Sequence, residues 1–315
     1  MLYCTIMKVK FFGVRGSHPV PNKKMMKYGG RTASVVFTKE VNGKTIPLFI
    51  DAGNGAIEAG KEFIPGILSG KCSGEFTMFF THLHPDHTEG FTFFGPNYLP
   101  QVRIHLYGMY ALKKNVGMVL RDKMMVPTFP IEYRDLRSDR KHGIVEEGDI
   151  WWIDEEGKPV KEGTDTESGV GKFIYKVDIM QSFAPAHPQQ GCIYYRVTDV
   201  LENGLGKSVV CAWDIESRKG GDQRLINFSK GADVMIHDTQ YTDEEYYSDK
   251  MIVQGFGHST FSMGLENAEL AGVKTLIPFH YNPAHTDEML DKIFAGLKSK
   301  KVTVVPSAEG LTVEL

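Results

Sequence analysis

The sequence lacks the features that mark several large classes of protein. Its 315 residues include only four cysteines (Cys4, Cys72, Cys192 and Cys211) and no CxxC pair, which argues against a disulfide scaffold and favours a reducing, cytoplasmic setting. No apolar run is long enough to cross a membrane, and no signal peptide is visible. The net charge of −3 indicates no general affinity for nucleic acid or for an anionic membrane. An ordinary globular protein with an ample core remains.

Short β-branched and aromatic runs alternate with helical patterns along the whole chain, which is typical of an α/β protein. A polar stretch at 146–171 predicts a surface hairpin or loop between two halves, at about 1–145 and 172–315. No long linker and no repeat of fixed period is visible, so we predict one domain over 1–315. The sequence leaves open whether Met1 or Met7 is the true start.

The most distinctive stretch is Thr81–Gly90, which follows the apolar run Phe76–Phe80. Its side chains include three imidazoles and a carboxylate: His82, His84, Asp86 and His87. His82 and His84 are two residues apart, so they point to the same side of an extended backbone. Imidazole nitrogens with one carboxylate are the ligands that zinc, manganese or iron prefer. The stretch therefore predicts a metal site at the end of a buried strand.

Further candidate residues lie at or next to predicted strands. Asp214, Asp238 and His280 each come at or after the end of an apolar run, and His187 precedes one. Buried strands that deliver His or Asp at their carboxyl ends are the usual way in which α/β sheets build sites. Each residue alone is more often a hydrogen-bonded histidine or a turn-capping aspartate. Their combination with the first loop favours a shared site.

The motif His82-Leu83-His84-Pro85-Asp86-His87 resembles the HxHxDH signature of the metallo-β-lactamase superfamily, and the similarity extends from Phe11 to about Asp287. The resemblance implies an αββα four-layer sandwich of two mixed sheets flanked by helices, with two divalent metals at one edge. It also implies a ligand set for each ion: His82, His84 and His187 for the first metal, Asp86, His87 and His280 for the second, and Asp214 shared between them.

Two further segments resemble the ribonuclease Z branch. Gly257-His258-Ser259-Thr260 is similar to its HST loop, and His237-Asp238-Thr239-Gln240 to its HEAT loop, with Asp in place of Glu and Gln in place of the final Thr. The resemblance implies that Asp238 pairs with His258 beside the scissile phosphate. The opening Gly13–Ser17 loop looks like that of bacterial phosphodiesterases, including a cyclic phosphodiesterase, although Arg31 and Gln189-Gln190 depart from their pattern.

These resemblances predict a dinuclear-metal hydrolase that acts on a small or cyclic phosphodiester with a metal-activated hydroxide as nucleophile. The predicted catalytic residues are Asp86, His258 and Asp238. Zinc is the favoured metal, with manganese or iron as alternatives. A ribonuclease Z-type endonuclease, a lactonase or thioesterase, and a metal-binding protein without turnover are the competing hypotheses. A nucleic-acid substrate is not favoured, because the chain shows no basic arm.

Three features allow two interpretations each. Asp51, at a strand end, either orients a neighbouring group or caps a helix over 55–63. Arg15 and Arg31, on glycine-rich loops, either clamp a phosphate or add surface charge. The Met-rich helical pattern over 109–125 fits core packing better than a lid, and it is also our candidate for a homodimer contact.

Overall fold

The computed structural model describes residues 5–164, 172–182, 187 and 191–315. Met1, Cys4 and the Gln189-Gln190 departure, together with part of the polar loop, lie outside the described residues. The strands are β1 (Lys8–Gly13), β2 (Ser34–Val41), β3 (Lys44–Ile50), β4 (Glu75–Phe79), β5 (Arg103–Gly108), β6 (Asp139–Ile144), β7 (Ile150–Asp154), β8 (Pro159–Lys161), β9 (Phe173–Gln181), β10 (Ile193–Leu201), β11 (Gly204–Ala212), β12 (Val234–Asp238), β13 (Thr275–Phe279), β14 (Thr303–Val304) and β15 (Thr312–Glu314).

Helices connect the parallel strands and cover the outer faces of the sheets. The α-helices are α1 (Gly55–Leu68), α2 (Pro85–Thr88), α3 (Val116–Lys123), α4 (Gln223–Ser229), α5 (Asp243–Tyr246), α6 (Phe261–Ala271) and α7 (Asp287–Gly296). Short 3-10 helices lie at Lys23–Met25, Glu89–Phe93, Gly95–Tyr98 and Tyr133–Asp135. Helix α6 shows why such segments begin where they do, because the Thr260 side chain accepts a hydrogen bond from the amide of Met263.

The strands form two mixed sheets. The first has the order β15-β1-β2-β3-β4-β5-β6, and the second the order β14-β13-β12-β11-β10-β9-β7-β8. In the first sheet, β3, β4, β5 and β6 are parallel neighbours. In the second, β11, β12, β13 and β14 are parallel neighbours. The carboxyl ends of parallel strands meet at one edge of their sheet, so each sheet presents one cluster of strand ends.

Three apolar layers hold the sandwich together. Between the sheets, Phe79 packs against Tyr195 with ring centroids 5.3 Å apart, and Trp213 against Phe279 at 4.7 Å. A second buried cluster joins the outer face of the first sheet to α1, and a third joins the second sheet to α4 and α6. The order helix, sheet, sheet, helix is the predicted αββα sandwich, and the fold prediction is confirmed.

Several local predictions need correction. The helical pattern over 109–125 yields a helix only at Val116–Lys123, because 109–115 forms a loop with a tight turn between the bridged Ala111 and Lys114, in which Leu112 and Lys113 have positive φ. Met109 and Met124 are buried whereas Met118 and Met125 are exposed, so the segment contributes partly to the core; a dimer contact there stays a prediction. The sequence patterns do not identify β6, β7, β8 and β15 as separate strands.

The polar stretch between the predicted halves is in part a hairpin. Strand β7 pairs with β8 and then with β9 of the second sheet. The division into halves at about 145 stays a prediction. No helix in the described part of the chain is long and apolar enough to cross a membrane.

Candidate metal centre

Three histidines from two segments face one point. His82 and His84 follow β4, and His187 precedes β10. The Nε2 atom of His187 is 3.3 Å from Nδ1 of His84, and the rings of His82 and His187 have centroids 4.6 Å apart. One ligand atom from each of the three lies within 4.8 Å of the others. We name these residues the histidine group.

A second group combines carboxylate with imidazole. Nε2 of His87 is 3.2 Å from Oδ2 of Asp86, and Nε2 of His280 is 3.3 Å from the same oxygen. Two atoms that each lie about 2.0–2.1 Å from a tetrahedral zinc ion are about 3.3 Å apart, so these separations suit ligands of one ion. We name Asp86, His87 and His280 the mixed group.

Asp214 lies between the two groups with one oxygen toward each. Its Oδ1 is 3.7 Å from Nε2 of His82 and 3.9 Å from Nε2 of His187. Its Oδ2 is 3.1 Å from Nε2 of His87 and 3.4 Å from Nε2 of His280. The structure thus brings all seven predicted ligands together, with Asp214 placed to bridge two ions.

The donor atoms of the cluster fit a pair of metal ions. Nε2 of His82, Nε2 of His87 and Oδ2 of Asp214 are buried, and none of them has a well-directed hydrogen bond to a described residue, although His87 Nε2 and Asp214 Oδ2 are 3.1 Å apart. Buried polar atoms are nearly always paired, so several unpaired ones that face each other need a shared partner. Five imidazoles and two carboxylates suit zinc, manganese or iron and exclude none of the three.

Backbone strain is concentrated at this edge. Asp51, Asp214 and His280 each follow a strand and adopt φ of 61°, 59° and 63°. Ser17, with φ of 62°, lies beside them and donates its amide hydrogen to Oδ2 of Asp86 at 2.7 Å. A side-chain-bearing residue at such φ costs about 1–3 kcal/mol, and such strain gathers at functional sites. The four residues turn the chain abruptly beside the ligand groups.

Asp51 orients the mixed group. It accepts hydrogen bonds from His87 Nδ1 and Trp213 Nε1, both at 2.7 Å, and from the amide and hydroxyl of Thr81 at 2.8 and 2.7 Å. Helix α1 has Asn54 at its N-cap, so Asp51 does not cap that helix. Of the two interpretations of Asp51, the structure supports the one in which it orients a neighbouring group. A carboxylate that holds the outer nitrogen of a ligand histidine fixes which nitrogen faces the metal.

His258 and Asp238 form the predicted pair. Nδ1 of His258 is 2.8 Å from Oδ2 of Asp238, and the His258 ring stacks on His280 with centroids 5.0 Å apart. Asp238 also accepts the amide hydrogen of Asp214 at 2.9 Å, which connects the pair to the bridging residue. The pair thus lies directly beside the mixed group, at the end of β12.

The ionisable groups of the site fall into two sets: histidines whose pKa is lowered by burial, and groups whose pKa is shifted mainly by neighbouring charges. Burial lowers the pKa of His82 well below its ordinary value, and it lowers the pKa of His187 to about 4 despite the nearby Asp214. Neutral imidazoles of this kind are the form that binds metal. Burial opposes ionisation of Asp214, but His280, His87 and His82 outweigh it and hold its pKa well below the ordinary range.

His258 behaves in the opposite way to His187. Burial lowers its pKa, but the charge and hydrogen bond of Asp238 outweigh burial and raise the pKa above its ordinary value. His258 is therefore protonated more readily than an ordinary histidine, which suits a proton donor.

The two arginines of the glycine-rich loops differ: Arg15 fits neither predicted interpretation, whereas Arg31 fits the surface one. Arg15 is fully buried and donates to the carbonyl oxygens of Gly29, Asn282 and His285, so it is neither a phosphate clamp nor a surface charge. It ties two glycine-rich loops to the segment after β13. Arg31 pairs with the carboxylate of Glu309, which leaves the surface interpretation.

Sequence reasoning missed some supporting residues of the site. Glu216 accepts the amide hydrogens of Gly255 and Gly257 at 2.7 and 2.8 Å, and so holds the loop that carries His258. Trp213 and Ser17 support Asp51 and Asp86 as described above. These contacts join residues far apart in sequence, and no local motif marks them.

Comparisons with known proteins agree with this geometry. No model of a known protein family matches the chain. Two solved structures that align over nearly the whole chain show its architecture. The metallo-β-lactamase fold protein YhfI from Bacillus subtilis aligns over 98% of this chain and 99% of its own, with TM-score 0.62 and 16% identity. The chain has the metallo-β-lactamase fold. A diphosphatase of the PhnP family shares the fold, with TM-score 0.57, 14% identity and 98% of both chains covered.

The sequence relatives that match this chain are named ribonuclease Z. Ribonuclease Z of Thermoplasma acidophilum is 25% identical over 89% of the chain and 88% of the relative. Ribonuclease Z of Brevibacillus brevis is 24% identical over 74% of the chain and 76% of the relative. The predicted resemblance to the superfamily and its ribonuclease Z and phosphodiesterase branch is confirmed.

Proposed function

We propose that this chain is a metal-dependent phosphodiesterase that hydrolyses a small or cyclic phosphodiester. The observation that carries the proposal is the hydrogen bond between His258 and Asp238 next to the paired ligand groups. Hydrolysis of an alkyl phosphodiester expels an alkoxide that needs a proton, whereas a thioester expels a thiolate that can leave without one. The pair therefore favours phosphodiester chemistry over thioester hydrolysis at the same cluster.

The proposed ions are held by the histidine group, the mixed group and Asp214, with zinc as first choice. Two divalent ions bound there would lower the pKa of a bound water and stabilise negative charge on the phosphoryl oxygens. Asp51 keeps Nε2 of His87 toward the cleft, and the amide of Ser17 holds one oxygen of Asp86. These contacts set the ligand positions before substrate binds.

The proton transfer is assigned to one atom. Nδ1 of His258 is engaged by Asp238, so Nε2 is the nitrogen left to protonate the leaving oxygen. Asp238 itself stays in place because it also accepts hydrogen bonds from the amides of Asp214, Gln240 and Ser259. An acid so anchored orients His258 and stabilises its protonated ring.

The experiment is substitution of His258 by Ala, assayed on a nucleoside 2′,3′-cyclic phosphate, whose leaving group is an alkoxide that needs a proton, together with measured metal content. We expect turnover to fall about 10²–10⁴-fold, the usual contribution of a general acid, with metal content unchanged. His105→Ala, which removes a histidine paired with Glu75, is the matched control and should turn over like wild type. Near-wild-type turnover of His258→Ala would show that this histidine is not the proton donor.

A ribonuclease Z-type endonuclease is the second candidate, because the curated relatives described above bear that name. It would use the same residues on a larger substrate. Cleavage of structured RNA together with absent turnover of small diesters would favour the endonuclease. Turnover of cyclic or small diesters with intact RNA would favour the proposed activity.

A further inference from the structure

Helix α3 presents a lysine on its buried face. Val116, Leu120 and Lys123 are spaced four and three residues apart, so they share one side of the helix. Val116 and Leu120 are fully buried, and Lys123 is partly buried, whereas the intervening Arg121 and Asp122 are exposed. A cation therefore occupies the end of an apolar stripe, where an apolar residue would be expected.

The ammonium group of Lys123 reaches the loop that holds the first ligands. Its Nζ donates a hydrogen bond to Oγ1 of Thr88, the residue directly after His87. The Thr88 hydroxyl in turn donates to the carbonyl oxygen of His84 at 2.8 Å. Burial lowers the pKa of Lys123, while the carboxylates of Glu89 and Asp86 act in the opposite sense. The ammonium thus lies beside helix α2, which carries Asp86 and His87.

This cation has no carboxylate partner within 4 Å among residues 5–164, 172–182, 187 and 191–315, since no ion pair there includes it. The fully buried Lys39 shows the usual arrangement, because its ammonium is paired with Asp199 at 2.5 Å and also donates to the carbonyl of Val200. Charges withdrawn from water are normally paired in this way. Lys123 has three N–H donors, and Thr88 accepts only one.

We propose that Lys123 binds an anionic oxygen of the phosphorylated substrate at the His84 side of the cleft. The inference rests on the proposed function and adds a substrate contact to it. An ammonium beside two metal ions would be repelled in the free enzyme, and a phosphate anion would relieve that repulsion. Lysine is well suited to this contact as a compact point charge on a flexible stem.

The test substitutes Lys123 by Met, which keeps length and suits the apolar stripe. Arg121→Met removes an exposed cation from the same helix and is the matched control; Lys123→Arg restores a cation. We would measure metal content, KM and kcat for bis(p-nitrophenyl) phosphate, and the binding of inorganic phosphate to the metal-loaded protein by calorimetry. Calorimetry does not depend on turnover, so it separates this inference from the proposed activity.

We expect Lys123→Met to weaken phosphate binding and raise KM about 10- to 100-fold, as for loss of one hydrogen bond to a charged group, with metal content unchanged. Lys123→Arg should recover part of the loss, and Arg121→Met should match wild type. Unchanged KM and phosphate affinity in Lys123→Met would overturn the inference. Loss of metal from that variant would also overturn it, because Lys123 would then be a support of the His84 loop. A wild-type protein that binds phosphate through Lys123 yet hydrolyses no diester would refute only the proposed function.

Discussion

The two sheets contribute to the cleft in different ways. The first sheet supplies four ligands from one short segment after β4, so a single loop carries them all. The second sheet supplies its members singly: Asp214 after β11, Asp238 at the end of β12 and His280 after β13. The first contribution depends on local backbone, and the second depends on three strands keeping their register.

This difference predicts which part of the candidate metal centre is more sensitive to substitution. Parallel pairing of β11 with β12, and of β12 with β13, places Ala212 beside His237 and Asp238 beside Phe279. Asp214, two residues beyond Ala212, and His280, directly after Phe279, both have left-handed backbone. Such conformations cost about 1–3 kcal/mol each and persist only when neighbours enforce them. The second sheet should therefore govern whether both ions bind.

The largest effect is expected from Asp214→Ala, because among the seven candidate ligands Asp214 is the one with a carboxylate oxygen toward each group. We expect metal analysis to show loss of both ions and turnover to fall more than about a thousandfold, beyond the loss from one stabilising donor. His84→Ala, on the first-sheet loop, should lose only the ion of the histidine group. Retention of two ions by Asp214→Ala would contradict the bridging assignment. Asp249→Ala, at an exposed position, is the control.

An intermediate effect is expected from Gly16→Ala, which acts on His280 from the opposite sheet. A Cβ atom at Gly16 would come within 2.3 Å of Cε1 and 2.4 Å of Nδ1 of His280, so the ring must move. We expect metal analysis to show loss of the ion of the mixed group, with the histidine group still loaded. Gly296→Ala places a methyl where nothing lies within 4 Å and should keep both ions. Two tightly bound ions in Gly16→Ala would show that His280 is dispensable.

A smaller effect is expected from Asp51→Asn, which keeps the shape but weakens the hydrogen bond to His87. Loss of such a support costs about 10–100-fold in metal affinity. Competition with a chelator should locate that loss at the mixed group only. An equal loss at both groups would mean that Asp51 supports the whole edge of the sheets rather than His87.

Much of this site could be predicted from the sequence because its ligands are chemically unusual and lie at strand ends. The loop from His82 to His87 is visible because its spacing is local. His187, Asp214 and His280 required the resemblance to a known family, since a lone histidine or aspartate after an apolar run is ordinary. The fold followed from the same resemblance and is confirmed.

Other features were not predictable because they depend on contacts between distant segments. The burial of Arg15 results from carbonyl groups more than 260 residues away, at Asn282 and His285. Strand β15 adds to the first sheet by pairing with β1 from the other end of the chain. The sequence pattern predicts a helix over 109–125, whereas the helix spans only Val116–Lys123. The longer predicted helix does not indicate that Lys123 lies on the buried face.

The central claim is tested most directly by removing metal and restoring it. Purified protein would be treated with a chelator, dialysed, and assayed on bis(p-nitrophenyl) phosphate without metal and with zinc, manganese or iron added. We predict no turnover without metal, recovery with at least one of these ions, and two ions bound per chain at full recovery. No turnover of bis(p-nitrophenyl) phosphate with any of these metals, while a lactone or acyl ester is hydrolysed, would contradict the phosphodiesterase assignment.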